Sequence, residues 1–143
     1  MKVFISVPMR GRTDEEIAKA IAVAKDKLSK MAQENQEHII YVDNFIPMPK
    51  KDEVNDIKNL SMWCLGGAIQ KMSTCDTIYF CPGWHEARGC VIERQVAVQY
   101  GLTRLYQNDQ LGIIFKESAD DEPSEPMPVE VKNDGPTFVG VIN

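Results

Sequence analysis

The sequence predicts an α/β fold, a mainly parallel sheet of about five strands layered between helices. Two patterns carry this expectation. Short runs rich in β-branched and aromatic residues alternate with stretches whose apolar residues recur at helical spacing. Helix punctuation separates them: a Thr-x-x-Glu capping sequence at Thr13–Glu16 and a glycine at Gly101. Strands that alternate with helices form parallel sheets covered on both faces.

Taken in order, "KVFISVP" (2–8) is the first strand, ended by Pro8. After the loop "MRGR", Ile17, Ala20, Ile21, Ala24 and Leu28 mark a helix running to about residue 33. "HIIYVDNF" (38–45) is the second strand and "IPMPKKDEVND" a polar, Pro-containing loop. A helix over 56–73 carries Ile57, Leu60, Trp63 or Cys64, and Ile69, with Gly66-Gly67 marking a kink or a close packing contact. "DTIYFCP" (76–82) is the third strand. The helix over 88–100 shows Ile92, Val96 and Tyr100 on one side and ends before Gly101. "TRLYQ" (103–107) and "LGIIFK" (111–116) complete the sheet. "ESADDEPSEPMP" (117–128) reads as an acidic, Pro-rich loop, and the closing "PTFVGVIN" is apolar again and should pack onto this domain or a partner subunit.

The chain of 143 residues is one domain in length, and its 43% hydrophobic and 26% charged content is that of a globular protein. No apolar run reaches the ~20 residues that span a bilayer, and the N-terminus lacks the features of a signal peptide, so cytoplasm is the expected compartment and no membrane partner is expected. The four cysteines form no Cys-x-x-Cys pair and are expected as free thiols. With two histidines no metal pattern emerges, and no cofactor is expected. A formal charge of −5 argues against binding a nucleic-acid polymer, but leaves room for a basic pocket that takes a single phosphate.

In a parallel sheet, ligands bind beyond the carboxyl ends of the strands. "VPMRGR", "DNFIPMP" and "CPGWHEARG" share that edge. The first offers Arg10, Arg12, the permissive Gly11 and the N–H groups of a helix start, as an anion site or simply as a capped helix with solvated arginines. Glu93 is expected in the first turn of its helix, on the same side as Gly89, ionised by the helix dipole at the mouth of a pocket. Such a carboxylate can attack an electrophilic carbon; a surface glutamate is the plain alternative. Arg88 anchors a phosphate or pairs with Glu86. Trp84 stacks on a base or sugar, or covers the core edge.

The combination of "ISVPMRG" with "CDTIYFCPGWHEARGCVIERQVAVQYG" resembles the nucleoside 2-deoxyribosyltransferase superfamily, in particular a branch near the nucleotide N-hydrolases. The resemblance covers residues 1–107 and is dense at 3–16 and 75–101. It implies a flavodoxin-like (Rossmann-like) three-layer sandwich, with residues 1–116 as a nucleotide- or nucleoside-binding domain. It also implies a nucleophilic Glu93, with Pro8, Met9, Arg10, Gly11 and Arg12 and the turn with Trp84, Arg88 and Gly89 holding the sugar or its 5′-phosphate. Two positions depart from the pattern. Ala87 stands where many relatives have a phosphate-holding Ser. Ala68 stands where they have an acid, which leaves Asp43, Asp56, His85 and Glu86 as candidate proton donors. Relatives associate as dimers or larger assemblies, so a homo-oligomer is expected, with the Trp63/Cys64 helix and the C-terminal segment as interface candidates. The expected activity is cleavage or transfer of an N-glycosidic bond. The alternative is a nucleotide-binding or sensing module that has lost the catalytic acid.

Overall fold

The computed structural model describes residues 1–108 and 113–117; residues 118–143, with the rest of the acidic stretch and the C-terminal segment, lie outside it. The elements are β1 (Lys2–Ser6), α1 (Asp14–Glu34), β2 (Ile40–Val42), α2 (Lys51–Val54), α3 (Leu60–Met72), β3 (Thr77–Phe80), α4 (Arg88–Gln99), β4 (Thr103–Asn108) and β5 (Ile113–Glu117). The five strands form one sheet in the order β2-β1-β3-β4-β5. Its first three pairings are parallel and β4·β5 is antiparallel. This is a flavodoxin-like three-layer α/β fold.

The alternation of strand side chains divides the core in two. Val3, Ile5, Val7, Tyr79, Cys81 and Leu105 form one cluster with Ala24 and Leu28 of α1. Phe4, Ile78 and Phe80 pack on the other face with Ala68 and Met72 of α3 and Ala97 of α4. Helix α1 starts as its sequence predicts. Thr13 Oγ1 accepts from the Glu16 N–H at 3.1 Å, and Glu16 Oε1 accepts from the Thr13 N–H at 2.9 Å. Helix α4 ends at Gln99 with Tyr100 as its cap, followed by Gly101 at φ 74°, the left-handed conformation expected of a glycine that stops a helix.

Three expectations need correction. The 56–73 helix begins at Leu60, because Asn59 caps it by accepting from the Met62 N–H at 2.9 Å; the preceding loop holds the short α2 instead. Strand β2 stops at Val42 because the side chains that follow turn the chain. Asp43 accepts from the Phe45 N–H at 3.0 Å, and the Asn44 amide donates to the Ile5 carbonyl. On α4 the inward residues are Cys90, Glu93 and Ala97, while Ile92 and Tyr100 are exposed. Of the predicted stripe, only Val96 packs on the core. The Gly66-Gly67 pair sits in an unbroken helix. A Cβ on Gly67 would lie 2.7 Å from Ile46 Cγ2, so Gly67 permits close packing of the β2 loop on α3. All four cysteines are free thiols. Among the described residues no helix is long and apolar enough to cross a membrane.

Candidate active site

Strand order reverses between β1 and β3: the chain leaves β1 towards β2 on one side and returns to β3 on the other. Loops beyond the carboxyl ends of two such strands diverge to opposite faces and leave a crevice. The residues at this point come from the end of β1 and its loop, from the β3–α4 turn, and from the first two turns of α4.

At its centre Ser6 Oγ donates a 2.6 Å hydrogen bond to Glu93 Oε1. Ser6 is the last residue of β1 and is 1% exposed; Glu93 is 8% exposed. Glu93 is the sixth residue of α4, so it lies in the second turn rather than the first, and it is buried rather than at a pocket mouth. Burial pushes its carboxyl up to about 7, against the opposing pull of the Ser6 hydrogen bond. The expectation of a dipole-ionised carboxylate is therefore replaced by an acid that titrates near neutrality. Cys90, one turn earlier, is buried beside both. Its thiol is pushed up to about 11 by burial, and Glu93 adds to the rise, while the Ser6 hydrogen bond and Arg12 oppose it. It is a neutral neighbour throughout the physiological range.

The β1–α1 loop closes over the next turn. Pro8 is buried, and Met9, Arg10, Gly11 and Arg12 are exposed. The Arg12 N–H donates to the Met9 carbonyl at 3.1 Å, with Gly11 at φ 76° in the third position, where a type II turn needs a glycine. The Arg12 side chain reaches across to the β3–α4 turn. A Cβ on Gly83, itself at φ 85°, would lie 2.8 Å from Arg12 Nη2. Gly83→Ala is therefore expected to shift Arg12 and to cost about 1–2 kcal/mol from the left-handed backbone alone. Gly89→Ala is the contrast: it adds a Cβ with nothing within 4 Å to a helical position and should be neutral or slightly stabilising. Urea unfolding of both variants checks the pair.

Two helix starts face this edge, and they differ. The N-terminus of α1 is closed by its own capping box and carries Asp14, Glu15 and Glu16 in its first turn. Hydrogen bonds from Thr13 hold the Glu16 carboxyl below its usual range, so that turn is anionic and unsuited to an anion. Helix α4 has no side-chain cap and no acid in its first turn. Its cap residue is Ala87, and it opens with the exposed Arg88 and the unobstructed Gly89. The free N–H groups of a helix start attract negative charge. The anion-suited terminus is that of α4.

The remaining expected residues make no hydrogen bond to Glu93. Trp84 lies in a single 3-10 turn and packs on Phe80 and Tyr106, with ring centroids 5.3 Å and 5.4 Å away, and the Arg94 guanidinium lies 5.8 Å from its ring. It covers the core edge. His85 and Glu86 face solvent, 64% and 81% exposed, and pair with each other at 3.6 Å. Asp43 is exposed and engaged in its own turn, and Asp56 is exposed after α2. Ala68 is buried on α3 against Phe4, Ile78 and Phe80. Among the described residues the only hydrogen-bond partner of the Glu93 carboxylate is Ser6. An open groove of about 580 Å³ lined by Ile46, Trp63 and Gln70, among others, shares no residue with this site.

Sequence reasoning passed over Ser6, and the signal was present: it is the one polar side chain in "KVFISVP" apart from the leading lysine. Comparison with known proteins adds a family and nothing finer. The chain matches no curated protein and no solved structure. Residues 1–106 match the model of a family described as a domain of unknown function, DUF4406, and the chain belongs to that family.

Proposed function

We propose that this protein cleaves or transfers the N-glycosidic bond of a nucleoside or its 5′-monophosphate, with Glu93 as the nucleophile. The observation that carries this reading is the buried Glu93 carboxylate at the β1/β3 crevice, next to the uncapped start of α4. The resemblance of "ISVPMRG" and the 75–101 segment to nucleoside 2-deoxyribosyltransferases supports it. In the reaction the ionised carboxylate attacks the anomeric carbon. The C–N bond breaks with its electron pair leaving on the base, which takes up a proton. Water, or a second base, then attacks the same carbon and frees Glu93. Arg12, Arg88 and the α4 N–H groups suit a 5′-phosphate held beside the sugar.

A second reading is favoured by one observation. The position at which relatives carry an acid is Ala68, packed in the core, and no second acid touches Glu93 among the described residues. A pocket of this kind could hold a nucleotide without cleaving it.

Incubation with a panel of nucleosides and nucleoside 5′-monophosphates, followed by chromatography for free base, separates the two. The expected result is base release from at least one compound, reduced at least ~10³-fold in Glu93→Ala. Tight binding of an intact nucleotide with no base released would establish the second reading instead. Equal release by the variant would exclude Glu93 as nucleophile.

A further inference from the structure

We infer that Ser6 is the positioning residue of Glu93: its hydroxyl holds Oε1, leaves Oε2 as the oxygen free to react, and sets the pH above which the carboxylate is available. The inference rests on the proposed role of Glu93 for its consequence in catalysis, but not for its geometry. That geometry is a 2.6 Å bond between two buried side chains, 87 residues apart in sequence, joining the end of β1 to the second turn of α4. A hydroxyl that gives its one hydrogen to a carboxylate stabilises the ionised form, and in a desolvated setting that bond is the main compensation for lost water. It also removes rotational freedom about the last side-chain bond of Glu93, so one oxygen is anchored and the other is directed by default. Without the anchor, a glutamate in a second helical turn has no other hydrogen bond among the described residues to fix its carboxylate plane.

The charged and titratable groups around the pair leave this assignment simple. From α4, Cys90 faces both Ser6 and Glu93 and remains a neutral thiol over the working range. From the β1–α1 loop, the Arg12 guanidinium acts on Cys90. No histidine or second carboxylate is among the groups that shift Glu93. A change at Ser6 therefore reaches two groups, Glu93 and the neutral Cys90 thiol, and the Cys90→Ala variant separates them.

The test follows the titration of Glu93 in the free, full-length protein, by carboxyl ¹³C NMR with Glu93→Gln used to assign the resonance. Ser6→Ala removes the donor without adding bulk, and Ser6→Thr restores a hydroxyl. The expected result is a midpoint about one pH unit higher in Ser6→Ala, the size of one charge-assisted hydrogen bond, returned towards wild type in Ser6→Thr. Cys90→Ala should leave the midpoint within a few tenths of a unit. Wherever base is released, the acidic limb of the kcat/KM profile moves with the NMR midpoint, and kcat/KM at pH 7 falls about five-fold. An unmoved midpoint in a folded Ser6→Ala variant overturns the inference, whether or not the protein is an enzyme. A moved midpoint with no base released from any substrate upholds Ser6 and rejects the glycosidic reading. If Ser6→Ala fails to fold, Ser6→Cys replaces it, with a weaker donor and an intermediate rise expected.

Discussion

Glu93→Gln is expected to silence base release and, at the same time, to make the protein more stable above neutral pH. Loss of activity follows from chemistry, since an amide oxygen cannot form the glycosyl-enzyme; a fall of at least ~10³-fold is the scale for a lost nucleophile. The gain in stability follows from linkage. The folded-state value of about 7 lies above the ordinary 4.5, so between those values the folded protein keeps a proton that the unfolded chain has released. The stability this provides is fully present below 4.5 and is lost as pH rises through 7. At pH 8 the wild type holds a buried carboxylate whose desolvation only Ser6 offsets. Gln is isosteric and neutral, and its carbonyl can still accept from Ser6. The variant should therefore gain on the order of 2–3 kcal/mol at pH 8, or roughly 5–10 °C in Tm, and under ~1 kcal/mol at pH 5. Thermal unfolding of both proteins at the two pH values checks this. A gain of equal size at both, or a loss at pH 8, would mean that Glu93 is not held against its desolvation. A residue that costs stability only when ionised is best explained by a use for the ionised form.

The parts of the fold legible in the sequence were those set by local chemistry. The Thr13–Glu16 box and Gly101 act through bonds within a few residues, and both lie where the sequence puts them. The five strands were visible because β-branched and aromatic runs suit a sheet whatever surrounds them. Element ends decided by side-chain hydrogen bonds were harder. Asn44 reaches a carbonyl 39 residues away, and no local pattern announces that bond. The inward face of α4 departs from its sequence expectation because the helix does not turn its large apolar residues to the sheet. Close to a sheet, small Cys90 and Ala97 fit better than Ile92 and Tyr100, and Glu93 enters the core because Ser6 is there to receive it. Site legibility divides the same way. The loop residues are legible as candidates because the topology brings three strand ends to one edge; the seat of Arg12 over Gly83 and the Ser6–Glu93 bond depend on contacts between distant segments. The antiparallel β5 fits the mainly parallel sheet expected from the sequence. Four residues between β4 and β5 cannot hold a crossover helix, so a parallel pairing was excluded by spacing alone.

Glu117→Ala is expected to be strongly destabilising although it lies away from the site. In register opposite Arg104, Glu117 gathers three donors on one oxygen: Arg104 Nε at 2.7 Å, the Tyr106 hydroxyl at 2.7 Å and Arg94 Nη2 at 3.4 Å. The Arg104 side chain is fully buried, and its Nη1 also donates to the Leu102 carbonyl at 3.0 Å. Burial works against the Glu117 charge, but the Arg104 and Tyr106 hydrogen bonds and the two guanidinium charges outweigh it and hold the carboxyl below its usual range. Removing the carboxylate leaves a buried cation without that counter-charge and a phenol without its acceptor, which should cost about 3 kcal/mol. Glu117→Gln keeps an acceptor but not the charge and should cost about half as much. Because the carboxyl is depressed in the folded state, its contribution is present above the unfolded value and fades as pH falls through the folded one. The gap between wild type and Glu117→Ala in urea unfolding should thus be wide at pH 7 and narrower at pH 3. A gap below ~1 kcal/mol at pH 7, or one that ignores acid, would show that the cluster adds no net stability, as buried ion pairs sometimes do not. The effect should extend beyond the hairpin. Arg94, the neighbour of Glu93, also donates to the Tyr106 hydroxyl at 2.8 Å and lies against Trp84 in the turn that leads into α4. Loosening it should change the fluorescence of Trp84, read in a Trp63→Phe background, even in conditions where the protein remains folded.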